Sequence, residues 1–120
     1  MRVLSWAVAV FLALFLSGAA RAQILGDGER RENGVNQGQV VVKISPTPKA
    51  GRVTCEEVYD SNGGTDEFWV PLWSTVRCQA HPAKGWKVRG WNWREAEMSH
   101  RDHVRFQLLH AGTLEVIFER

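Results

Sequence analysis

The sequence predicts a mainly β fold: a small antiparallel domain of five to six short strands held by one disulfide. Three observations predict it. From Val40 onward apolar and polar residues alternate in short runs. Clusters of Gly, Pro, Asn and Ser interrupt these runs every 8 to 12 residues. No segment beyond the N-terminal 22 residues sustains a helical period.

Residues 1–22 read as a secretory signal peptide. Met1-Arg2 is a short basic start, Val3 to Leu16 is almost wholly apolar, and the small-residue run ends in Ala20-Arg21-Ala22. The 14-residue apolar run falls short of the roughly 20 residues that a spanning helix needs. No integral membrane segment is therefore expected after cleavage, and the expected location is periplasmic, cell-surface or secreted. Of the 15 Lys and Arg residues, Arg2 and Arg21 lie in this leader, which leaves 13 bases against 13 acids. A formally neutral remainder gives no general attraction to nucleic acid or to anionic membranes.

Residues 23–39 hold four glycines and a dense mixture of charges, with almost nothing apolar after Leu25. Such a segment cannot offset the entropy of ordering and is expected to be a flexible N-terminus. The domain proper is expected over 40–120. Val40, Val42 and Ile44 alternate up to Pro46-Thr47-Pro48, and Arg52 to Tyr59 is a second strand with Val53 and Cys55 on one face. Ser61-Asn62-Gly63-Gly64 marks a turn. Phe68 to Trp73 is apolar but broken by Pro71, which suits an edge or an irregular approach. Ser74 to Ala80 alternates again, with Val76, Cys78 and Ala80 together. His81 to Gly85 turns the chain into Trp86 to Trp93, and Arg94 to Asp102 is polar, a helical turn or a loop. Val104, Phe106 and Leu108, then Leu114, Val116 and Phe118, supply the last two strands.

Cys55 and Cys78 are the only cysteines, and an exported chain meets oxidising surroundings, so they are expected to form one cross-strand disulfide. Closing a loop of this length stabilises by about 3 kcal/mol on the chain-entropy model.

Three segments carry a family resemblance: "VVVKISPTPKAGRVTC", "STVRCQAHPAKGWKVRGWNW" and "VRFQLLHAGTLEVIFER". Together they resemble the internalin-type B-repeat domain of bacterial surface and secreted proteins. Thr75, Val76, Cys78, Ala80 and Pro82 match its middle segment. Gly85, Trp86, Val88, Gly90 and Trp91 match its central motif, and Thr113, Leu114, Val116 and Phe118 its last strand. The resemblance spans about residues 40 to 119 in a single copy. It implies a small grasp-like β fold serving as a stalk or binding module, with no catalytic residues. The disulfide and the aromatic run Phe68 to Trp73 depart from that pattern.

Five of the six tryptophans lie beyond the leader, and the functional candidates are sought among them. On a strand, Trp86, Val88 and Gly90 share one face and Trp91 and Trp93 the other, unless a bulge at Gly90 returns Trp91 to the core. Trp86 and Trp91 are expected in the core. Trp69, Trp73 and Trp93 are left as candidate exposed rings for stacking on sugars or anchoring a protein. Lys87 and Arg89 offer a basic face, against an acidic first hairpin of Glu56, Glu57, Asp60, Asp66 and Glu67. His100 and His103 beside Asp102 lack a third ligand at a sensible spacing, so no metal site is expected. Ser99 beside His100 has no nucleophile-elbow context, and neither catalysis nor a cofactor is expected. Expected instead is a binding or adhesion module for a protein or glycan. The alternatives are a carbohydrate-binding domain built on Trp69, Trp73 and Trp93, and a disulfide-stapled inhibitor presenting Phe68 to Trp73.

Overall fold

The structure, a computed structural model, describes residues 25–120. The expected signal peptide lies outside the described residues. Ten strands follow in chain order: Glu29–Glu32 (β1), Val35–Ser45 (β2), Gly51–Cys55 (β3), Tyr59–Asp60 (β4), Glu67–Pro71 (β5), Thr75–Pro82 (β6), Lys87–Trp93 (β7), Ala96–Ser99 (β8), His103–Gln107 (β9) and Gly112–Glu119 (β10). The fold is mainly β, as the alternation predicts. The strand number exceeds five to six because short hairpin partners complete each sheet. No described helix is long and apolar enough to cross a membrane.

The larger sheet runs β1-β2-β10-β7-β8, with β5 on the opposite edge of β2. The smaller runs β4-β3-β6-β9. β2 and β10 are parallel, Val40 to Ser45 beside Gly112 to Ile117, and every other pairing is antiparallel. Period-two patterning explains how the sheets meet. Val40, Val42, Phe68, Val70, Leu114, Val116 and Phe118 come from the larger sheet, and Val53, Val76, Ala80 and Val104 from the smaller. All are buried in one core. Two aromatic pairs join the sheets across it: Tyr59 with Phe68, centroids 5.2 Å apart, and Trp93 with Phe106 at 4.6 Å. Cys55 and Cys78 face each other on β3 and β6 and form the disulfide, Cα atoms 4.0 Å apart. Both cysteines are buried in the core, between the sheets.

Two expectations are corrected. Much of 23–39, expected to be a flexible N-terminus, is strand: β1 and the first half of β2 form a hairpin around Asn33-Gly34. Both turn residues are left-handed, φ 51° and 78°, the two-residue geometry that Asn-Gly favours. Paired backbone and one stacked arginine thus order a segment with little apolar surface. Arg94 to Asp102, read as a helical turn or loop, contains β8, which pairs with β7 across the tight turn Arg94-Glu95.

The expected bulge is displaced. It falls one residue before the expected Gly90: Gly90 pairs with Ile117 and Val88 with Phe118, leaving Arg89 as the extra residue. Val88, Trp91 and Trp93 then stand opposite Phe118, Val116 and Leu114 on the core side. Trp91 is fully buried, and its indole Nε1 donates to the Arg101 carbonyl at 2.9 Å, so burial leaves no donor unpaired. Trp86 is half-buried beneath Arg120, whose guanidinium lies 4.5 Å from the ring centroid.

Candidate functional site

The expected surface residues do not gather into one site. Trp93 is not an exposed ring. The bulge turns it inward, where it bridges the sheets against Phe106. Trp69 sits on the outer face of the larger sheet opposite Gln39, and Arg30 covers its ring at 4.1 Å. Arg30 is held there by Gln37 (2.9 Å) and Glu32 (2.9 Å). Trp73 occupies the turn between β5 and β6 and is 69% exposed. With Trp93 inside and Trp69 under Arg30, Trp73 alone of the three stands as an uncovered ring, so the three do not form a stacking platform. Phe68 and Val70, expected in a presented loop, are core residues of β5.

Lys87 and Arg89 are both exposed, and Lys87 pairs with Glu119 across the sheet at 3.8 Å. The acidic hairpin is partly neutralised in the same way. Arg77 reaches Glu56 at 3.6 Å and Arg52 reaches Asp60 at 4.0 Å. His100 pairs with Glu97, while His103 pairs with Asp102 at 3.0 Å. That hydrogen bond, with one from Gln79, lowers the Asp102 pKa below its ordinary value. The two histidines thus take different carboxylates. Among the described residues no three His, Cys, Asp or Glu side chains converge as a metal would require.

Trp73 is the residue the structure singles out. Its backbone is left-handed at φ 74°, a conformation that costs a residue with a Cβ about 1–2 kcal/mol. Three hydrogen bonds enforce it. Trp73 N donates to Leu108 O at 2.6 Å, Gln107 Nε2 donates to Trp73 O at 2.9 Å, and Ser74 Oγ donates to Pro71 O at 2.6 Å. The adjoining Leu72 N donates to Asn36 O at 2.9 Å. Trp73 is thus tied to the Leu108–Leu109 segment and, through Leu72, to the Val35–Asn36 segment. Among the described residues, Val35, Trp73 and Leu109 are three of the four exposed large apolar side chains. These backbone hydrogen bonds therefore bring together the chain segments that carry Val35, Trp73 and Leu109, and hold the Trp73 backbone in place. Pro71 and the aromatic run signalled this place in sequence. Val35 and Leu109 are too far away along the chain for periodicity to assign them to it.

A scan against protein-family models finds no match, and neither do searches of curated proteins and of solved structures.

Proposed function

We propose that the chain is a non-catalytic, exported β module of the internalin B-repeat type that grips a protein partner through Trp73 and the apolar residues beside it. Trp73 carries this reading. Its ring is held in solvent by a strained backbone that the fold enforces, and a protein under selection for stability alone gains nothing from that arrangement. Contact hot spots are rigid aromatics of this kind, flanked by smaller apolar residues. The family resemblance supports the module type, since its motif residues fall on β6, β7, β10 and the turn before β7. A protein partner is preferred to a sugar because two of the three rings that a glycan platform would need are covered, Trp93 by Phe106 and Trp69 by Arg30.

The test is a capture experiment with matched variants. The wild-type chain should retain a partner from envelope or culture extract, Trp73→Gly should lose it, and the variant's circular dichroism should be unchanged and its melting temperature no lower. A Trp73→Gly chain that captures the same partner equally well would sink the reading.

A further inference from the structure

A second surface, sharing no residue with the Trp73 end, carries a ligand groove. On the outer face of the larger sheet, Lys43 of β2, Asn92 of β7, Thr113 and Glu115 of β10 and the Arg94-Glu95 turn line an open cleft of about 560 Å³. That lies within the range of small-ligand sites, roughly 300–1,000 Å³. Its floor is a prearranged acceptor. Glu115 accepts from Ser45 Oγ at 2.6 Å and from Asn92 Nδ2 at 3.3 Å, and Lys43 Nζ lies 3.6 Å away.

The rim is built at a cost. Arg94 and Glu95 are both left-handed, φ 51° and 69°, in a two-residue hairpin turn. The other such turn among the described residues uses Asn33-Gly34, the pair suited to that geometry. Here two side chains stand where Asn-Gly would be easier, and neither makes an ion pair or a side-chain hydrogen bond among the described residues. Arg94 N donates to Thr113 O at 3.1 Å, which fixes the turn to β10. Gly112 completes the fit, because a Cβ there would lie 2.5 Å from Arg94 Cγ.

We infer that this groove binds an acidic oligosaccharide, one uronic-acid residue at a time. Arg94 lines the groove and has no ion pair among the described residues, and a guanidinium is a planar fork matched to a carboxylate. The Asn92 amide, the Thr113 hydroxyl and the Glu115 carboxylate offer donors and acceptors to ring hydroxyls. Ser45 first, with Asn92 and Lys43, holds the Glu115 pKa below its ordinary value, so it remains an acceptor at neutral pH. Glu95 at the rim opposes a second anion and so favours one charge per site.

The probe is trigalacturonic acid, titrated into the full chain and followed by calorimetry and by amide chemical shifts. Saturable binding is expected, with shifts at Lys43, Asn92, Thr113 and Glu115. Arg94→Gln should weaken it at least tenfold, Glu95→Gln should tighten it, and Trp73→Gly should leave it unchanged. Glu115→Gln, which leaves the turn untouched, should also weaken it and serves as the second variant. Absence of binding overturns the inference. So does equal binding of maltotriose, or equal displacement by polyglutamate, which would reveal unspecific attraction of anions. Loss of capture in Trp73→Gly with groove binding intact would uphold both proposals separately.

Discussion

Trp91 and Trp73 show how differently the same residue type is used. Trp91 has no exposed surface, and its one donor is satisfied by a backbone carbonyl. Truncating Trp91→Ala should cost about 3–5 kcal/mol, measured as a lowered urea midpoint. Trp73→Gly removes an exposed ring and relieves a left-handed backbone, so the urea midpoint should stay within about 0.5 kcal/mol of wild type or rise. Glu115 gives a residue-scale pH effect. Its pKa is lowered in the folded state, so its contribution is fully present above the unfolded carboxylate value of about 4.3 and is lost as pH falls through the lower folded value. Acid titration of stability should therefore be shallower in Glu115→Gln than in wild type below that pH. Which tryptophan does what was only half legible in sequence. The run Trp86 to Trp93 announces large rings, but the face each ring takes depends on where the bulge falls, and that is set by pairing with β10.

At the scale of elements, the hairpin turns carry the lesson. Asn33-Gly34 is the strongest short-range hairpin signal there is, yet the charged, glycine-rich composition around it pointed to a flexible segment. Backbone pairing to β2 outweighs composition there, because β2 is already fixed by β5 and β10. The Arg94-Glu95 turn carried no signal, since neither residue favours a left-handed backbone. Replacing the pair by Asn-Gly should raise stability by about 1–2 kcal/mol in urea unfolding, and by the groove inference should abolish uronate binding. A gain in stability without that loss would leave the strained pair unexplained. The polar side chains Lys43, Asn92 and Glu115 could not suggest a groove from sequence, because they come from three strands far apart along the chain and meet only through the β2-β10-β7 order.

At the scale of the molecule, two thin sheets share one core of moderate size, and the disulfide pins the smaller sheet at its centre. Cys55→Ala with Cys78→Ala should lower stability by about 3 kcal/mol, and reductant should shift the urea midpoint of wild type but not of the double variant. The Cys55–Cys78 pairing was readable from two cysteines on facing alternating runs. The parallel union of β2 and β10, which brings the two ends of the domain together, was not. Alternation tells which residues of a strand are buried but says nothing about which strand lies beside it.

The sequence by itself determined the mainly β character, the disulfide, most strand positions and the inward residues, because these follow from period-two patterning and local turn chemistry. Only the tertiary structure decided the surfaces. It turned Trp93 inward, covered Trp69 with Arg30, left Trp73 exposed on a turn hydrogen-bonded to Leu108, and assembled the groove lined by Lys43, Arg94 and Glu115. The physical reason is common to all four: each depends on strand neighbours and register, which are set by long-range packing rather than by any window of the chain.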